Sequence, residues 1–145
     1  MSNEEHLRRL EKMYERPAVN ALYRPTLKVE DARSEIKMPV LSDFFHSAGA
    51  IHGSVYFKIL DDAGCFAAWT REREFFVVTA SFTTYIVRPV REGSLRAIGE
   101  IINESRSQFI VEAKAYDDAD KLVAHGNGIM MRGRNKLSEL DHYDL

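Results

Sequence analysis

Residues 46–70 read HSAGAIHGSVYFKILDDAGCFAAWT, and this stretch organises the rest of the chain. From Val55 to Trp69 the side chains are apolar or small almost all round, broken only by Lys58, Asp61 and Asp62. A helix that is hydrophobic on every side is a buried helix. At about 1.5 Å rise per residue, Ser54 to Thr70 spans roughly 25 Å, enough to cross a small domain. The segment is too short and too charged to cross a bilayer, so it must be wrapped by protein. Asp61 and Asp62 are the anomaly, because consecutive helical side chains point about 100° apart and a wrapped helix can hardly show both to water.

With 145 residues the chain is expected to form one domain with a sizeable core. Its composition, 45% hydrophobic and 29% charged, is that of a globular protein. A net charge of −2 gives no reason to expect nucleic acid or an anionic membrane as partner. The single cysteine, Cys65, cannot close an internal disulfide, which fits a reducing compartment. The polar start Met-Ser-Asn-Glu-Glu-His is unlike a signal peptide, and no apolar run approaches the ~18 residues of a membrane span, so a cytoplasmic protein is expected.

Residues 4–16 are expected to form an amphipathic helix, with Leu7, Leu10 and Tyr14 on one stripe and Pro17 as its stop. Residues 18–26 read as irregular and 27–38 as one strand ended by Pro39. Residues 40–51 form a loop carrying two histidines. Beyond the central helix, Phe75–Val87 is strand chemistry, with the greasier face at Phe76, Val78, Ala80, Phe82 and Ile86. Further strands are expected over 94–103, 108–116 and 121–132. The second of these sends Phe109, Val111, Ala113 and Ala115 inward. Asp117–Asp120 reads as a hairpin loop, and Gly126 and Gly128 suggest a bulge or a close backbone approach. The organisation is thus an N-terminal extension (1–26), one α+β domain (27–132) and a polar, loosely held tail (133–145), the four later strands being antiparallel because their turns are short. One sheet face cannot cover a helix that is apolar all round, so the sheet must curl and a partner subunit must cover the remainder.

Gly49-Ala-Ile-His52-Gly53 opening the helix, Asp61 nine residues after His52, then Val78-Thr79, Tyr85, Pro89 and Gly93, resembles the hotdog-fold acyl-CoA thioesterases, most closely the phenylacetate-degradation type. Residues 118–126 are similar to the last hairpin of that family. The resemblance runs from about residue 40 to 131. It implies a long central helix wrapped in a curved antiparallel sheet of about five strands, with dimers joined edge to edge, often paired into tetramers, and active sites at the dimer interface. It implies an acyl-CoA substrate and no cofactor. It also implies Asp61 as the catalytic carboxylate, His52 beside the thioester, the Gly53 N–H on the carbonyl oxygen and Thr79 orienting water. His46 stands where the family commonly has Asn and joins the catalytic set. Ser54 replaces the second Gly of the motif. With Gly49, Tyr85 and Arg88 it is expected to contact substrate.

Elementary chemistry supports several of these roles. A carboxylate on a buried helix has its proton affinity raised by desolvation unless donors reach it, and a raised pKa suits a general base near neutral pH. The first amides of a helix lack intrahelical partners and carry the positive end of its dipole, a natural hole for an oxyanion. Plainer readings compete: Asp62 as a partner for Lys58 or Arg71, His52 as a loop histidine, Ser54 as an N-cap, Thr79 as a strand residue, Cys65 as inert packing. Gly64 lowers helix propensity by about 1 kcal/mol, so something should require it. Arg88, Arg91, Arg132 and Arg134 could meet coenzyme A phosphates or be solvated strand-end arginines. Whether Asp61 activates water or attacks directly stays open, since both need the same group. A non-catalytic acyl-CoA binder is the alternative function, and a hydratase is poorly supported. Five scattered histidines and one cysteine lack metal-ligand spacing, and neither a Gly-x-Ser-x-Gly elbow nor a phosphate-binding loop is present.

Overall fold

The computed structural model describes residues 1–144. Helix α1 (Asn3–Glu15) is closed at its start by a capping box. The Glu5 N–H donates to Ser2 Oγ (3.1 Å), and the Ser2 N–H donates back to the Glu5 carboxylate (2.8 Å). Leu7, Leu10 and Tyr14 are buried on one stripe, as its periodicity predicts, and His6 and Met13 are buried beside them. Helix α3 (Gly53–Trp69) buries eleven of its residues and carries the core. The strands are β1 (Thr26–Glu30), β2 (Arg33–Pro39), β3 (Phe75–Ile86), β4 (Ser94–Glu104), β5 (Gln108–Tyr116) and β6 (Leu122–Lys136). They form one antiparallel sheet in the order β1-β2-β4-β5-β6-β3. Helix α3 packs against every strand of it, which is the hotdog arrangement.

The helix lies unusually close to the sheet. A Cβ on Gly99 of β4 would stand 2.1 Å from the Ala63 carbonyl oxygen, and one on Gly64 would stand 2.7 Å from a Val111 methyl. Two glycines facing each other's element let backbone approach backbone, which is the need that Gly64 answers. Ser34 Oγ donates to the same Ala63 carbonyl at 2.5 Å. Gly126 and Gly128 serve a second close approach: the Phe82 ring lies over both, where a Cβ would meet it at 2.6 Å.

Several expectations are corrected. Residues 27–38 are two strands, because Asp31-Ala32 turns the chain back with Ala32 in the left-handed region at φ 61°. The turn was hidden because Ala rather than Gly occupies that position. The sheet therefore has six strands. Ala18–Tyr23, read as irregular, is a short helix, α2, starting directly after Pro17. Strands β3 and β4 are consecutive in sequence but not neighbours: β3 crosses to the far edge, beside β6. The single alternation expected along β3 fails because Ala80 is an extra residue between the pairs Thr79–Met130 and Ser81–Ile129. Before this bulge Val77 and Thr79 face α3; after it Phe82 and Ile86 do. The tail is not loose. Strand β6 continues to Lys136, Leu137 and Tyr143 are buried, and the Tyr143 hydroxyl donates to His6 Nδ1 (2.6 Å) while His6 Nε2–H donates to the Trp69 carbonyl (2.8 Å). Among the described residues no helix is long and apolar enough to cross a membrane.

Candidate functional site

The loop before α3 is shaped by its own backbone. Phe45 and Ile51 form an isolated bridge, His46 N–H donates to the Ala50 carbonyl (2.9 Å), and Gly49 turns with φ 78° while donating to the His46 carbonyl (3.0 Å). His46 Nδ1 accepts the Ala48 N–H at 3.0 Å, so this ring is pinned to its own loop. The helix then starts at His52 rather than Ser54. His52 Nδ1 accepts the Ser54 N–H (3.0 Å) and lies 2.8 Å from Ser54 Oγ, making the histidine the N-cap and Ser54 its partner. Accepting at Nδ1 requires the lone pair there and leaves Nε2 as the donor. The Val55 N–H is taken by the His52 carbonyl (2.9 Å), while the Gly53 N–H has no acceptor among the described residues. Gly53 lines a cleft of about 340 Å³ together with His46, Tyr56, Ile86 and Arg88, among others.

Asp61 sits eight residues along the same helix. Thr79 Oγ1 donates to its Oδ1 at 2.7 Å and lies 3.3 Å from the Met130 sulfur. Burial pushes the Asp61 carboxyl above the usual range; the Thr79 hydrogen bond opposes this, Asp62 adds to it and Lys58 opposes it. The Asp61–Asp62 anomaly is resolved by direction. Asp61 turns to β3, whereas Asp62 turns to α1, where it accepts from the Tyr14 hydroxyl (2.7 Å) and pairs with Lys58 (2.8 Å). The Lys58 partnership is one of the two expected; Arg71 instead pairs with Asp31 and Glu104. Tyr14 was legible only as a stripe residue, although a buried tyrosine's hydroxyl needs a partner and so signalled one.

The structure brings His46, Gly53 and Arg88 to one cleft and Asp61 and Thr79 to another place on the same helix. Gly53 and Asp61 are about 12 Å apart along the axis and do not converge within one chain. Ser54 and His52 are exposed beside the first group. Tyr85 is exposed and stacks on His125, with centroids 5.1 Å apart. Cys65 is buried against the Val77 carbonyl and its thiol is pushed well above the usual range, first by burial and then by the two aspartates, so it is no thiolate nucleophile. Arg132 is occupied internally: it pairs with the buried Glu72 (2.6 Å), donates to the Ser105 and Arg106 carbonyls and covers the Phe109 ring. Arg88, Arg91 and Arg134 are exposed.

Comparison with known proteins follows the same lines. Residues 48–124 match the family described as "Thioesterase superfamily". A relative in Saccharolobus solfataricus, named "Putative esterase SSO1253", is 29% identical over 112 residues, covering 77% of this chain and 75% of that protein. The PaaI protein of the phenylacetic acid degradation operon of E. coli superposes with a TM-score of 0.83 at 17% identity, over 92% of this chain and 97% of that one. The thioesterase HI1161 of Haemophilus influenzae superposes with a TM-score of 0.76 at 20% identity, over 86% and 88%. At these identities the two structures speak for the fold.

Proposed function

The chain belongs to the thioesterase superfamily and is by that membership a thioester hydrolase; from this premise we propose that it hydrolyses acyl-CoA thioesters at sites shared by two subunits. One observation carries the reading. Along β3, an open edge of the sheet, the chain presents a half-buried carboxylate of raised proton affinity and a helix-start amide with no acceptor among the described residues, too far apart to act on one carbonyl. A two-fold pairing of β3 edges supplies each with the other's counterpart. The exposed apolar side chains Phe57, Val78, Tyr85, Ile86 and Val87 along that border support such a pairing. Ile102, Ile110 and Met131 on the outer sheet face support a second pairing into a tetramer.

In the reaction, the thioester carbonyl oxygen accepts from Gly53 N–H of one subunit, and Asp61 of the other removes a proton from water as it attacks the carbonyl carbon. Thr79, whose hydrogen is committed to Asp61, keeps lone pairs to orient that water. Collapse of the tetrahedral intermediate expels the coenzyme A thiolate, which recovers the proton from Asp61, and frees the acid. Direct attack by Asp61 through a mixed anhydride uses the same groups. Exposed Arg88, which lines the cleft at Gly53, is the arginine best placed to meet the coenzyme's phosphates.

The test is thiol release from short, aromatic and long acyl-CoA esters. Asp61→Asn lowers kcat by about a thousandfold or more while the circular dichroism spectrum is kept. Acyl-CoA binding without thiol release, or full turnover in the variant, contradicts the proposal.

A further inference from the structure

Helix α1 reaches the surroundings of Asp61 through a relay of contacts. Asp61 and Asp62 are adjacent on α3, and the second is clamped from two sides, by the Tyr14 hydroxyl at 2.7 Å and Lys58 Nζ at 2.8 Å. The Lys58 and Asp62 side chains are each 17% exposed, so the pair lies where water screens it poorly. Lys58 is further held over the rings of Tyr14 (5.8 Å) and Tyr23 (5.3 Å), which fixes its ammonium in place.

We propose that Asp62 is a positioning residue for Asp61: clamped by Lys58 and by Tyr14, it is a fixed negative neighbour that tunes how readily Asp61 takes a proton, which makes α1 part of the working site rather than a cover over it. This rests on the reading of Asp61 as the working carboxylate.

The groups around Asp61 are few enough for the effect to be isolated. Among the described residues of its own subunit these are Lys58, Asp62 and the Cys65 thiol from its own helix, the Tyr14 phenol from α1, and the Thr79 hydroxyl and Met130 sulfur from β3 and β6. In the proposed pairing the loop 46–52 of the second subunit, with His46 and His52, also faces it, and that loop is the same in every variant below. Burial holds the Cys65 thiol and the Tyr14 phenol protonated, Tyr14 being pushed far above its usual range first by burial and then by Asp62. Within the subunit two charges remain, and they act oppositely: Asp62 favours the protonated form of Asp61, Lys58 the ionised form. Tyr14 holds the first in a defined place and disperses its charge.

The test follows the Asp61 carboxyl directly, by carbon-13 NMR titration of the full-length protein, alongside the pH profile of kcat/KM for thiol release. Asp62→Asn moves both the titration and the acid limb of the profile to lower pH. Lys58→Met moves both to higher pH, and Tyr14→Phe, which keeps the ring, moves them the same way by less. A purely structural clamp lowers melting temperature in all three variants without moving the titration in opposite directions. An Asp61 titration that stays put, shifts alike in Asp62→Asn and Lys58→Met, or shifts without the acid limb following overturns the inference. The titration needs no turnover, so a failure of the hydrolysis proposal, seen in Asp61→Asn retaining full thiol release, is separately recognisable.

Discussion

Strands β5 and β3 are built from similar residues and meet opposite fates. On β5, Phe109, Val111, Ala113 and Ala115 are at most 1% exposed, and the inward face is completed by α3 of the same chain. On β3 only Val77 is buried, while Val78, Tyr85 and Ile86 are 42%, 51% and 49% exposed at the open edge of the sheet. The first strand is finished by its own chain; the second leaves one edge open. The residues proposed to act, Thr79 with Asp61 and Gly53 beside Ile86, lie along the unfinished one. In the proposed mechanism, stability and function thus fall on different borders of the same helix.

That contrast can be broken most severely at β5. Phe109→Ala removes a fully buried ring that also carries Arg132, and it should cost about 3–5 kcal/mol in denaturant unfolding. Phe57→Glu acts on the other border. Phe57 is 42% exposed and pairs with Phe82 in a T-shaped arrangement, so unfolding free energy should change by less than about 1 kcal/mol per subunit. Sedimentation should nevertheless show monomers, and thiol release should fall with them.

The smallest effect is a pH effect. His6 is fully buried and its pKa is lowered, chiefly by burial. A folded-state pKa below the unfolded value means that the native state binds fewer protons, so this group's stabilisation is present above the ordinary histidine range and is lost as pH falls. Melting temperature should therefore drop between pH 7 and pH 5, and less so in His6→Gln, measured by calorimetry. Asp61 works in the opposite sense: its raised pKa lends stability below the usual carboxylate range that is lost as pH rises.

What could be read in advance follows the same border. Helix α3, the clean alternation of β5 and the role of Gly126 and Gly128 were legible, because burial by the same chain leaves a periodic mark. The hairpin at Asp31-Ala32, the bulge at Ala80 and the crossing of β3 to the far edge were not. Ala32 carries no turn signature, a one-residue bulge leaves composition unchanged, and strand order depends on long-range pairing. At the candidate site, Asp61 stood out as a charge inside a greasy helix. Thr79 and Gly53 came through family resemblance, since Thr in a strand and Gly before a helix are ordinary. The clamp of Tyr14 on Asp62 joins residues 48 positions apart, and only the fold brings them together.

If each site takes its acid from one subunit and its amide from another, as proposed, subunit mixing restores activity that neither variant has alone. Gly53→Pro removes the helix-start N–H at a position where proline suits the first turn, and His52, at φ −65° and ψ 149°, already has the conformation a following proline requires. Asp61→Asn and Gly53→Pro proteins should each be inactive alone. Mixed in equal amounts and allowed to exchange, they should regain about a quarter of wild-type thiol release, because half the dimers are then hybrids with one intact site each. No recovery, in mixtures shown by mass to contain hybrids, would contradict the account.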